Sequence, residues 1–100
     1  MKIWVDDIRP MPKGYSVWCQ SVNSAIQAIH VVEETGRKIE LIDLDHDAGD
    51  FASDGGDFIK ILDWLEATGR NYPIRIHSMN PVGIANMRAI IQKNQWQERH

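Results

Sequence analysis

The sequence predicts an α/β domain built on a short, mostly parallel β-sheet of about four strands. Three observations lead there. Short apolar runs rich in β-formers alternate with segments of helical length and helical apolar spacing, the pattern of βαβ units with right-handed crossovers. The 100 residues make a single domain, residues 1–100, because a chain of this size buries roughly two-thirds of the surface its unfolded form exposes and leaves no room for a second core. Two of the apolar runs also end in acidic strings, as buried strands do when they empty into ligand-binding loops.

The elements follow in order. Lys2 to Asp6 reads as a strand, closed by an acidic pair and a loop that carries Pro10, Pro12 and Gly14. Tyr15 to Cys19 makes a second short strand. Residues 8–14, with two prolines, are too few and too stiff for a crossover helix, so the direction of the second strand stays open. From Val22 the apolar positions Val22, Ala25, Ile26, Ile29 and Val32 keep helical spacing, with Ser21 as N-cap and Gly36 as the stop. Ile39 to Asp45 is a buried strand that empties into His46-Asp47-Ala48-Gly49-Asp50 and a loop through Ser53, Asp54, Gly55 and Gly56. A second helix starts near Asp54, places Phe58, Ile61, Leu62 and Leu65 on one face, and ends at Gly69. Pro73 to His77 is the fourth strand. Asn80 then caps a third helix with Pro81 at its first position, where a missing N–H costs nothing, and that helix runs to about Lys93.

Composition excludes several function classes. With 11 Lys plus Arg against 14 Asp plus Glu, the formal net charge is -3, which argues against duplex DNA as a partner, since that needs a broad basic surface. A phosphate-containing small molecule remains compatible if a cation helps. Cys19 is the single cysteine, so no intrachain disulfide forms, and a reduced, cytoplasmic setting is the expectation. Met1 to Val5 meets acid too soon for a signal peptide, and no apolar run reaches membrane-spanning length, so no membrane role is expected. Cys19 lacks a nucleophile's neighbours. His30 and His100 read as structural and terminal, the four tryptophans as packing anchors, and Gly55-Gly56 lacks the spacing and lysine of a P-loop.

In an open parallel sheet, ligands bind beyond the carboxyl ends of the strands, and the polar residues fall there. Asp6 and Asp7 close the first strand, Asp45, His46 and Asp47 the third, and His77, Ser78 and Asn80 the fourth. If the first and third strands are neighbours, four carboxylates share one crevice. Two unit charges 4 Å apart repel by about 4 kcal/mol at an effective dielectric of 20, so the cluster calls for a hard divalent cation, Mg²⁺ or Mn²⁺, with Asp6, Asp7, Asp45 and Asp47 as ligands. The plainer alternative is that Asp7 and Asp47 are turn residues. Asp43 either joins the cluster or is a hydrogen-bonded structural group, and the sequence does not choose between them. His46 and His77 arrive from different strand ends and are suited to proton transfer near neutral pH, or else to structural roles. The string His77-Ser78-Met79-Asn80-Pro81 runs into a helix N-terminus, which favours an anion such as phosphate; Asn80 serves as cap, anion ligand or both.

Three blocks resemble the receiver domains, and more closely the variant called the cyclic-phosphate processing receiver domain. They are Val5-Asp6-Asp7-Ile8-Arg9-Pro10, Leu44-Asp45-His46-Asp47-Ala48-Gly49, and His77-Ser78-Met79-Asn80-Pro81-Val82-Gly83 with Asn86-Met87. The resemblance implies a flavodoxin-like, receiver-like three-layer sandwich with strand order 2-1-3-4, truncated relative to a full receiver. It further implies that Asp6 and Asp7 hold Mg²⁺ and that Asp45 is the phosphoryl-acceptor position. Two departures stand out: the chain ends after the fourth strand and its helix, and no lysine closes a later strand as in phosphorelay receivers. His46, Asp47 and the string from His77 to Asn80 are extra.

Together these readings predict a metal-dependent phosphoesterase or phosphotransfer enzyme acting on the cyclic phosphate of a nucleotide or an RNA end. Asp45, His46 and His77 are its expected catalytic groups, and Arg9, Ser78 and Asn80 its expected substrate contacts. The alternative is a degenerate response-regulator receiver that serves as a phospho-acceptor or binds a protein partner.

Overall fold

The structure is a computed structural model that describes residues 1–100. Five parallel strands form one sheet: β1 (Lys2–Val5), β2 (Val17–Cys19), β3 (Leu41–Leu44), β4 (Ile74–Ile76) and β5 (Glu98–Arg99), in the order β2-β1-β3-β4-β5. Three helices connect them: α1 (Val22–Glu34), α2 (Ile59–Ala67) and α3 (Pro81–Lys93). The expected α/β, receiver-like flavodoxin fold with order 2-1-3-4 is present, and β2 is parallel to β1 with Trp4 opposite Trp18.

Two sequence expectations change. The sheet gains a fifth strand, because the chain turns back after α3 at Gln95 (φ 56) and pairs Glu98 and Arg99 with β4. Two residues are too short to show a strand pattern in sequence. The second helix also starts later than Asp54. Residues Gly49–Ser53 form a 3-10 turn, and the positive φ of Gly55 (109) and Gly56 (94) bars a helix there. Asp54 instead accepts hydrogen bonds from Ser21 Oγ (2.6 Å) and Asn23 Nδ2 (3.0 Å), which pins the loop to the start of α1.

The caps behave as their residue types dictate. Ser21 and Ser24 form a reciprocal capping box on α1, and Asn80 Oδ1 accepts the Gly83 N–H at 3.0 Å with Pro81 beginning α3.

The three crossovers, β2 to β3, β3 to β4 and β4 to β5, all run in the same direction across the sheet. Right-handed connections therefore put α1, α2 and α3 on one face, where α1 packs on α2 and α2 on α3. Ile3, Val5, Ile42, Leu44 and Ile74 face these helices and meet Ile29, Phe58, Ile61, Leu62, Leu65, Met87 and Ile91 in one buried cluster. Each such fully buried side chain contributes about 1.5–3 kcal/mol of transfer free energy.

The other face is different in kind. Strand register places Trp18, Trp4, Asp43, Arg75 and Arg99 in one cross-strand row there. The link from β1 to β2 contains no helix, so the third layer of the sandwich is only a loop, residues 6–16, with Tyr15 set edge-on to Trp4 (ring centroids 5.3 Å apart). No helix of the structure is long and apolar enough to cross a membrane.

Candidate functional site

The site lies at the carboxyl ends of β1, β3 and β4, because β1 and β3 are neighbours and their last residues stand side by side: Val5 pairs with Leu44, and the Asp45 N–H donates to the Val5 carbonyl. The next residues on each strand, Asp6 with Asp7 and Asp45, then offer carboxylate oxygens within 4.8 Å of one another. Asp6 is buried and Asp7 and Asp45 are half-buried.

The electrostatics of the three are unequal. Burial pushes the Asp6 carboxyl up, but the N–H groups of Arg9 (2.7 Å) and Ile8 (2.9 Å) and the His77 ring outweigh it and hold Asp6 below the ordinary aspartate range. Asp7 is raised, by burial first and then by the charges of Asp6 and Asp45. Asp7 thus lacks a counter-charge, and three carboxylate oxygens within 4.8 Å of one another suit a hard divalent ion. Asp6, Asp7 and Asp45 are therefore the residues that fit Mg²⁺ or Mn²⁺. Asp47 stands outside this group: its Oδ1 faces His46 Nδ1 at 2.9 Å and Asn80 Nδ2 at 3.5 Å.

Beside the acids is a cleft of about 230 Å³ lined by Arg9, Asp45, Asp47, His77, Ser78, Met79 and Asn80. Arg9, Ser78 and Asn80, the expected substrate contacts, all reach it. Ser78 Oγ accepts the Asn80 N–H at 3.1 Å, which orders the turn that leads into α3. The helix begins at that corner: Pro81 brings no N–H, Gly83 N–H goes to Asn80 Oδ1, and Val82 N–H is left without a protein partner beside the cleft residue Asn80.

The two histidines do not play matching parts. The His46 ring packs against α3 at Gly83, where an added Cβ would stand 2.4 Å from His46 Cγ; glycine is required for that approach. Its Nδ1 is held by Asp47 and Nε2 has no protein partner. His77 is nearly enclosed, with 7% of its side chain exposed, and lies between two carboxylates: Nδ1 to Asp43 Oδ1 at 2.7 Å, Nε2 to Asp6 Oδ2 at 2.9 Å. Both nitrogens can donate at once only from the doubly protonated ring. Trp4 stacks on the imidazole at 3.8 Å with the rings 3° from parallel.

This hub is what sequence reasoning left undecided. Asp43 is fully buried in the central strand and belongs with His77 rather than with the Asp6, Asp7, Asp45 trio. Its Oδ2 accepts from the Tyr15 hydroxyl and from Arg75 Nη1 at 2.8 Å, and Arg75 is its direct cross-strand neighbour. Burial pushes the Asp43 carboxyl up, yet His77, Tyr15 and Arg75 together hold it below the ordinary range. The signal for it was an acid inside β3 and a base inside β4, each flanked by apolar residues; only the register joins them. Trp4, read as a packing anchor, is also the plate on which His77 lies. Cys19 matches its reading as inert: burial pushes its thiol up to about 11.

Comparison with known proteins agrees with this geometry. The family described as the cyclic-phosphate processing receiver domain matches residues 1–93. No curated protein and no solved structure matches the chain.

Proposed function

The chain belongs to the cyclic-phosphate processing receiver domain family, and we propose that it opens the cyclic phosphate of a nucleotide or of an RNA end by metal-dependent hydrolysis. The observation that carries the reading is the junction of the Asp6, Asp7 and Asp45 oxygens with a phosphate-sized polar cleft that shares Asp45. A divalent ion bound by the three aspartates would supply Lewis-acid stabilisation of charge on the phosphoryl oxygens. Arg9, Ser78, Asn80 and the N-terminus of α3 bind and orient the ester. Water attacks phosphorus, one ring P–O bond breaks, and the proton lost by the water is balanced by one gained by the leaving alkoxide. His46, with Nδ1 fixed by Asp47 and Nε2 open, is suited to carry that proton. Asp47, expected as a fourth metal ligand, is better placed to set this tautomer and to hold Asn80. His77, bridging Asp43 and Asp6 through its two ring nitrogens, keeps the Asp6 carboxylate aimed.

The phospho-acceptor alternative has less support, since no lysine is among the residues lining the cleft. The test is incubation with Mg²⁺ or Mn²⁺ and a panel of 2′,3′-cyclic and 3′,5′-cyclic nucleotides. Opening of at least one, lost in Asp45→Asn and reduced at least a hundredfold in His46→Ala, is the expected result. An intact panel together with an aspartyl phosphate formed from a small phosphodonor would favour the alternative.

A further inference from the structure

Parallel sheets are almost always covered on both faces. Here only one face carries helices, and the loop 6–16 covers the other in part. What stays open is the portion nearest the amino ends of the strands, where Lys2, Lys38, Glu40, Leu41, Pro73, Gln97 and Arg99 line a hollow of about 420 Å³. Three of these seven are cations. Lys2, Lys38 and Arg99 are exposed, and none is in an ion pair. The single acid, Glu40, lies 3.9 Å from the Met1 amine, which already answers its charge. Arg75, spent on one side against Asp43 and with 41% of its side chain exposed, stands on the same face between this hollow and the catalytic cleft.

In a chain of net charge -3, four cations on one face with one neutralised acid are a segregation of charge. Such a surface suits an anion. Leu41 and Pro73 are the only apolar side chains of the lining, so the surface offers little of the burial that a protein interface needs and much of what a phosphodiester chain needs. The geometry continues the cleft: His77 lines it at the carboxyl end of β4, Arg75 is two residues back on the same face, and Pro73 two further back lines the hollow. Four residues of strand span roughly 13 Å, a distance a few nucleotides cover.

We propose that this helix-free face binds the single strand whose terminal phosphate enters the cleft, so that the substrate is an RNA end rather than a free mononucleotide. The inference rests on the cyclic-phosphate reading and adds the length of the substrate to it. The probes are an eight-nucleotide oligouridylate ending in a 2′,3′-cyclic phosphate and uridine 2′,3′-cyclic phosphate, titrated with Mg²⁺ present and followed by backbone amide shifts, which report binding whether or not the ester opens. The octamer binds at least tenfold tighter than the mononucleotide. Its log affinity falls against log salt with a slope near -2, at about -0.7 for each of three neutralised phosphates. The combined Lys2→Gln, Lys38→Gln, Arg99→Gln variant, altered only at exposed positions, loses the tenfold advantage and binds the mononucleotide as before.

An octamer no tighter than the mononucleotide, or a variant that keeps the advantage, overturns the proposal. So does concentration-dependent self-association that the triple variant abolishes and the octamer does not compete with, which would make the face a contact between copies. Octamer bound through this face but never opened would sink the hydrolytic reading and leave the strand site standing. Opening of both probes with equal efficiency and equal affinity would do the reverse.

Discussion

Asp43 and the Asp6, Asp7, Asp45 group are joined through His77 in one sheet, and they treat negative charge in opposite ways. Asp43 is fully buried and every oxygen is answered, by His77 on one side and by Tyr15 and Arg75 on the other. In the second region the oxygens converge on each other, and Asp7 is raised, by burial first and then by the charges of Asp6 and Asp45. A carboxylate that the fold has fully compensated holds structure together. At the strand ends Asp6 is held by two N–H groups and His77 while Asp7 is left under-compensated, an arrangement that a divalent cation could complete. His77 ties the two together, since it spends one nitrogen on each.

The sharpest way to break the contrast is to remove Asp43. Asp43→Ala leaves Arg75, His77 and Tyr15 facing an empty buried space, and losing one partner of such a network costs about 3–5 kcal/mol. Urea unfolding at neutral pH measures it. A loss under 1 kcal/mol would mean that Asp43 is no better compensated than the triad. Burial with partners also predicts a sign with pH. Because the folded carboxyl lies below its unfolded value near 3.8, its contribution is complete above that value and is lost as pH falls through the lower, folded pKa.

Gly83→Ala comes next. It leaves both acidic regions intact and attacks the contact between α3 and His46, with a Cβ 2.4 Å from Cγ of a ring held by its Asp47 contact. Overpacking of this kind costs about 1–3 kcal/mol. The His46 ring resonances shift while those of His77 stay, which separates a moved ring from a general loosening.

Much of this arrangement could be read in advance, and the reason is positional. Asp6, Asp7 and Asp45 end strands, and in a parallel sheet strand ends meet, so the crevice follows from the alternation of elements alone. Ser21 and the pair Asn80-Pro81 announce helix starts through local chemistry that does not depend on the rest of the fold. The site residues Arg9, Ser78 and Asn80 reach one cleft for the same reason. Asp43 could not be placed this way, because its partners come from the β1–β2 loop, from β4 and from a strand end, 28 to 34 residues distant, and only the register Trp4, Asp43, Arg75 brings them together. The bare face of the sheet was equally hidden: the missing crossover helix was visible in residues 8–14, but what it uncovers depends on which way β2 runs.

A third acid calibrates the comparison from outside the site. Glu33 on α1 is held bidentately by Arg70 (2.9 Å at both contacts) and by the Tyr72 hydroxyl, with side chains only 22–27% exposed for the ion pair. The Arg70 guanidinium leads in holding it down to about 2. It is compensated as Asp43 is, without the burial, so water screens what remains. Glu33→Gln is expected to cost about 1 kcal/mol. The lowered pKa fixes the window: the contribution is present above the unfolded value of 4.5 and drains away as pH falls toward 2. A cost matching that of Asp43→Ala would show that burial adds nothing to compensation.

Asp7→Asn gives the smallest effect and the one that separates the regions by sign. Asp7 is raised in the folded chain, so its ionisation works against folding. The penalty is absent below the unfolded value of 3.8, where the group is protonated in both states, and appears as pH rises past it. In the absence of divalent ions the asparagine variant is therefore expected to be more stable than the parent at neutral pH, by about 0.5 kcal/mol given how much water screens a half-buried group, and equal to it near pH 3. Added Mg²⁺ or Mn²⁺ reverses the order. The ion stabilises the parent by an amount that grows with the logarithm of its concentration over its dissociation constant, and stabilises the variant much less because one of three oxygen donors is now neutral. Thermal unfolding of both proteins against ion concentration should give curves that cross. If they run parallel, Asp7 is a turn residue and the charge it carries has no partner in view; if they cross, the deficit of positive charge at the strand ends is filled by the ion.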